Sequence, residues 1–215
     1  MSGKVVLAVV LIVVSLFSTS CLSMIYYPSR VLDSGGVYVG YGTHAERGWG
    51  DNYELGFYNS FFTRLGFGGG FDGGIELRGY QFLPYTGIVS IRKQFNFNAV
   101  VIDGITLGAG MGLHFDEVYG SVSLLNKGFS VTIAYSNNMF EEFNISNYSG
   151  NWLINSTYGR LSYEYNLGRH FIIMPFVSYR YSKDSFEDEL WNKRKLGVGL
   201  SLAFKSRKLT KYQIS

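Results

Sequence analysis

Phe129-Ser130-Val131-Thr132-Ile133-Ala134-Tyr135-Ser136 alternates without a break. Successive side chains of a strand point to opposite faces, so Phe129, Val131, Ile133 and Tyr135 share one face and Ser130, Thr132, Ala134 and Ser136 the other. Residues 196–204 repeat the pattern, with Leu196, Val198, Leu200, Leu202 and Phe204 set against Gly197, Gly199, Ser201 and Ala203. The second face is small in both stretches. A water-facing strand surface usually carries long or β-branched polar residues, whereas glycine in a strand costs chain entropy and packs nothing. Small residues suit the inside of a closed barrel, where they leave room for bulky polar neighbours. The large apolar set then faces lipid.

Working outward, the same reading predicts strands over 37–43, 52–71, 75–82, 87–94, 99–111, 118–125, 153–167 and 170–182, giving ten with the two above. A break in the long 52–71 stretch, around Ser60 to Thr63, leads to a twelve-strand alternative. The connections alternate between long and tight. The long ones are Thr43–Asp51, Phe82–Thr86, Gly112–Glu117, Asn137–Trp152 and Lys183–Lys193. The tight ones are Asp72-Gly73-Gly74, Phe95 to Asn98, Asn126-Lys127-Gly128 and Gly168-Arg169, where Gly supplies the positive φ of a hairpin. Ten strands place every tight turn, and both ends of the barrel, on one side. The fold expected is therefore all-β, a single antiparallel up-and-down transmembrane barrel over residues 36–204.

Parity sends most of the strand charges inward. Glu54, Arg64, Glu76, Arg78, Arg92, Arg160, Glu164 and Arg180 fall opposite the main apolar sets, and Leu55, Phe57, Leu65, Phe67, Ile75 and Leu161 point out. Charges in a narrow lumen are costly unless paired and hydrogen-bonded, so these residues are expected to form a network that fills it. Two positions resist the pattern: Ile172, Met174 and Phe176 share the face of Arg180, and Lys93 sits on the outward parity. Trp49, Tyr53, Trp152, Tyr179, Tyr181 and Trp191 fall near the long-loop rim, where amphipathic rings form an interfacial girdle.

The ends and the composition bound the rest. The chain has 215 residues with 27 Gly, 17 Tyr, 17 Phe and 3 Pro, which suits one β-rich domain. A net charge of +3 is too mild to argue for nucleic acid. Residues 1–20 read as a secretory signal, with Lys4 in the charged region, an apolar core from Val5 to Phe17, and Ser18-Thr19-Ser20 as a small-residue cleavage region. Cys21 follows and is the only cysteine in the chain, so no internal disulfide is possible. Residues 21–35 read as a tether and 205–215 as a basic tail.

Ser18-Thr19-Ser20-Cys21 resembles a bacterial lipobox, departing from its commonest form in having Ser18 where leucine is usual. That resemblance implies acylation of Cys21, and each buried methylene of an acyl chain contributes ~0.8 kcal/mol of anchoring. Residues 37–204 resemble the small outer-membrane barrels of the OmpA type in pattern, without a diagnostic motif. The implied setting is the bacterial outer membrane with both termini periplasmic. The implied partners are the lipid bilayer and the outer-membrane assembly machinery, and the implied state is a monomer.

Nothing in the sequence assembles an enzyme. His44, His114 and His170 stand apart; His114 lies near Asp116 and Glu117, but no second histidine sits at ligand spacing for a metal. No nucleophile lies beside a base, and no cofactor motif occurs. The roles left are a structural or surface-interaction barrel with a plugged lumen, a narrow pore for small solutes, or a soluble lipocalin-like binder. A ten-strand barrel is only slightly wider than the eight-strand kind that side chains fill, which favours the plugged form.

Overall fold

The computed structural model describes residues 25–49, 55–80, 83–97, 101–113, 117–140, 152–186 and 189–206, and every regular element among them is a strand. In chain order these are β1 (Val37–Trp49), β2 (Leu55–Gly68), β3 (Phe71–Tyr80), β4 (Leu83–Asn96), β5 (Gly104–Gly112) and β6 (Glu117–Asn126). There follow β7 (Phe129–Phe140), β8 (Trp152–Tyr163), β9 (Tyr165–Leu167), β10 (Phe171–Phe186) and β11 (Glu189–Lys205). Each pairs antiparallel with its neighbour. β8 and β9 both pair with β10 and form one barrel strand interrupted at Glu164, so ten strands go round. β11 pairs with both β10 and β1, which closes the sheet.

The two faces partition as the alternation requires. Thr132 is fully buried inside while Ile133 is 59% exposed outside. Leu55, Phe61, Phe67, Phe129, Val198 and Leu202 add to a continuous outward apolar surface. The face of β10 is settled as well: Ile172, Met174 and Phe176 point inward with Arg180, and Phe171, Val177 and Tyr179 point out. Lys93 lies at the tight-turn rim. Its Nζ hydrogen-bonds the Gly69 carbonyl and sits 4.1 Å from the Phe71 ring centroid, so the outward ammonium is partnered by the turn.

Four expectations need correction. The β2–β3 turn is Gly68-Gly69-Gly70, not Asp72-Gly73-Gly74. All three glycines have positive φ, a conformation that costs other residues far more, and Asp72 is thereby carried into β3 on its inward face. The supposed long connections Thr43–Asp51 and Lys183–Lys193 are largely strand. β10 and β11 stay paired out to Phe186↔Glu189, because backbone ladders continue through polar residues as well as apolar ones. The β4–β5 connection is longer than Phe95 to Asn98, since β5 starts only at Gly104.

The largest correction concerns residues 21–35. Their described part, from Ile25, is no external tether. Ile25, Tyr26, Tyr27, Ser29 and Leu32 are buried among inward-facing side chains of the barrel. Three large apolar residues in a row, Ile25-Tyr26-Tyr27, have no reason to stay in water, and the lumen offers them a place. The signal at 1–20, Cys21, Glu54, Tyr53, His114, Asp116 and the tail beyond Ser206 lie outside the described residues.

Candidate functional site in the barrel lumen

Wall glycines make the space that residues 25–34 occupy. A Cβ on Gly42 would come within 2.5 Å of the Tyr26 ring, and one on Gly66 would collide with the Asp33 carbonyl. The segment leaves the wall beside β2, where Gly35 N–H donates to the Gly66 carbonyl and Gly66 N–H to the Gly36 carbonyl, both at 2.9 Å. It then crosses the tight-turn end of the lumen. Leu32 N–H donates to Asp72 at 3.2 Å, Val31 N–H to the Gln94 side chain at 2.8 Å, and Ser29 N–H to Glu164 at 2.6 Å. Arg92 donates to the Pro28 and Arg30 carbonyls, and Arg160 to those of Ile25 and Tyr27. Two tyrosines reach further in. The Tyr26 hydroxyl lies 2.5 Å from His44 Nδ1, and those of Tyr27 and Tyr119 are 2.8 Å apart. The Tyr27 ring is covered by the Arg64 and Arg92 guanidiniums at 4.2 and 4.6 Å, contacts that strengthen when desolvated.

The wall charges form three buried clusters. Near the tight turns, Asp72 bridges two guanidiniums, Arg64 at 2.7 Å and Arg92 at 2.5 Å. Arg78 lies between Glu76 at 3.1 Å and Glu117 at 3.4 Å, with Ser60 donating to Glu76 at 2.8 Å. Arg180 pairs with Glu46 at 2.7 Å, and the other Glu46 oxygen faces His44 Nε2 at 3.3 Å.

Among the expected network residues, Arg64, Glu76, Arg78, Arg92, Arg160, Glu164 and Arg180 all reach the lumen, but in separate groups. Glu76 meets Arg78, whereas Arg64 and Arg92 meet through Asp72, which sequence reasoning placed in a turn. Glu46, His44 and Glu117, which the sequence reading leaves in long connections, stand in β1 and β6 with buried side chains. The signal that could have found them is parity: His44 and Glu46 continue the inward register of Gly40 and Gly42. Among the described residues no three His, Cys, Asp or Glu side chains converge on a possible metal position.

At the rim, Arg30 clamps Asp103 through both carboxylate oxygens, at 3.0 and 2.7 Å, and Lys127 N–H adds a bond of 2.8 Å. Partial burial acts to raise the Asp103 pKa. The hydrogen bonds and positive charge of Arg30 and Lys127 outweigh it and hold the carboxyl below its ordinary value. A depressed carboxylate contributes its stability above the unfolded pKa, about 3.9, and loses it as pH falls through the folded value. The pair is about a third exposed, so its contribution should stay below ~1 kcal/mol. Asp103→Asn is expected to lower the thermal midpoint slightly at neutral pH. The gap from wild type should close in strong acid; a gap independent of pH would rule this pair out as its source.

Compared by sequence, the chain matches no protein-family model and no curated protein. Among solved structures it is similar to an outer-membrane channel from Pseudomonas putida F1, with a TM-score of 0.50 at 6% identity over 86% of this chain and 100% of that one. The attachment invasion locus protein Ail of Yersinia pestis aligns at 16% identity over 80% of this chain and 99% of its own, with a TM-score of 0.34. OprG of Pseudomonas aeruginosa aligns at 14% identity over 82% and 98%, also with a TM-score of 0.34. The likeness concerns the fold, that of an outer-membrane β-barrel.

Proposed function

We propose that the chain is a bacterial outer-membrane barrel whose lumen is closed by its own residues 25–34, and that it serves as a structural or surface-interaction protein, not as an open pore or an enzyme. The outward apolar surface is too extensive for water and matches a lipid-facing belt. In this reading the tight-turn rim, where Val37 meets Ser206, faces the periplasm, and the bilayer is the principal partner. Acylation at Cys21 belongs to the same proposal; uptake of radiolabelled palmitate by wild type and its loss in Cys21→Ala would support it, and no uptake by wild type would remove it.

The observation that carries closure is the burial of Tyr26 and Tyr27, 2% and 1% exposed, Tyr26 against His44 and Phe176 and Tyr27 beneath the Arg64 and Arg92 guanidiniums. The test is conductance in a planar lipid bilayer. Wild type is expected to show almost none, and a variant lacking residues 25–34, or Tyr26→Ala/Tyr27→Ala, is expected to show discrete channel events. Steady conductance by wild type would instead support the narrow-pore reading, which the channel among the fold's neighbours keeps in view.

A further inference from the structure

Arg160 stands apart from the other lumen arginines near the tight turns. It is buried, yet no described carboxylate forms an ion pair with it. Its partners are oxygens of the segment inside the barrel: the Ile25 carbonyl, the Tyr27 carbonyl at 3.4 Å and Ser29 Oγ at 2.7 Å. Its Nε has no hydrogen-bond partner. Ser29 Oγ also lies 2.8 Å from Ser130 Oγ and 3.5 Å from Thr132 Oγ1, two wall hydroxyls. One segment oxygen therefore occupies a position surrounded by a guanidinium and wall hydroxyls, and two carbonyl oxygens sit on the same guanidinium. This is the donor set that a small oxyanion takes, and Arg is the cation best shaped for it.

Local charge agrees. In the tight-turn half of the lumen Arg64, Arg92 and Arg160 face Asp72 and Glu164. Asp72 is shared by the first two, and Glu164 accepts from Ser29 N–H. Removing the segment would strip the buried Arg160 of its hydrogen-bonded oxygens and leave it facing Glu164 without an ion pair, which is unfavourable unless water or an anion replaces those oxygens.

We propose that Arg160, Ser130 and Thr132 form an oxyanion site in the lumen wall, and that residues 25–29 fill it as a built-in substitute for the ligand. The site binds a small oxyanion, phosphate or carboxylate, when the segment withdraws. This rests on the reading that residues 25–34 close the lumen.

The experiment uses two opened forms, the variant lacking residues 25–34 and full-length Tyr26→Ala/Tyr27→Ala, in planar bilayers under a KCl gradient. Both are expected to prefer chloride, and millimolar inorganic phosphate should reduce the current several-fold. Acetate is the comparison arm: block by phosphate alone assigns the site to phosphate, and block by acetate as well extends it to carboxylates. Adding Arg160→Gln to either form should abolish the anion preference and the block, while Arg160→Lys should retain most of the preference. Cation preference, or phosphate block that survives Arg160→Gln, would overturn the site. Opened variants lacking anion preference would overturn it while leaving the closure reading intact; a wild type that conducts as freely as they do would overturn closure and, with it, the substitute-ligand role.

Discussion

Asp72→Ala is expected to lower the stability of the barrel by ~3–5 kcal/mol, the scale on which breaking a buried ion pair is costly. Asp72 has no exposure to solvent, accepts from both Arg64 and Arg92, and takes the Leu32 N–H as well. Its loss leaves two guanidiniums facing each other without a counter-charge and frees one end of the segment in the lumen. Asp72→Asn keeps the shape and one acceptor oxygen, so it should do less damage. Adding Arg64→Met to Asp72→Ala should recover part of the loss, because one orphaned cation goes with it. The measurement is the unfolding midpoint in detergent micelles, followed by heat-modifiable gel mobility. A wild-type midpoint in Asp72→Ala would mean that the lumen is wet enough to hydrate both arginines. The same variant should also raise bilayer conductance, since Arg92 holds the Pro28 and Arg30 carbonyls and depends on Asp72 for its own position.

Ile133→Arg should cost roughly 2–4 kcal/mol in lipid if the residue sits near the bilayer midplane. Ile133 is exposed outward beside Val122 on β6 and Gly159 on β8, within the apolar belt and away from either rim. Ile133→Thr at the same position should be much milder, since it carries no charge. The contrast is read by folding yield into vesicles and by midpoint. Equal behaviour of the two variants in vesicles would show that this face meets water, and the barrel would then have to be reconsidered as a soluble one.

Local alternation was enough to separate the two faces, and the strands it marked pointed to ten with twelve left open until the sheet was seen to close. A strand's period of two depends only on backbone geometry, and a wall with lipid on one side and a narrow interior on the other imposes a different residue size on each. That is why Ser130, Thr132, Gly197 and Ser201 could be placed inside, and Ile133 and Leu200 outside, before any contact was known. The same parity delivered Arg64, Glu76, Arg78, Arg92, Arg160, Glu164 and Arg180 to the lumen. It could not say which charge meets which, because partners such as Arg78 and Glu117 lie on β3 and β6 and face each other only when the sheet closes. Nor could it place Asp72: in a run containing Gly68-Gly69-Gly70 and Gly73-Gly74, either glycine cluster has the chemistry of a turn, and pairing with β4 decides between them. His44 and Glu46 were lost for a related reason, since polar residues near a strand end look like loop until the partner strand is seen to continue. The course of residues 25–34 was decided by tertiary structure alone. Nothing in a short stretch of mixed residues carries the information that the barrel wall has left a space of its shape, lined with Gly42 and Gly66, and donors and acceptors for its backbone.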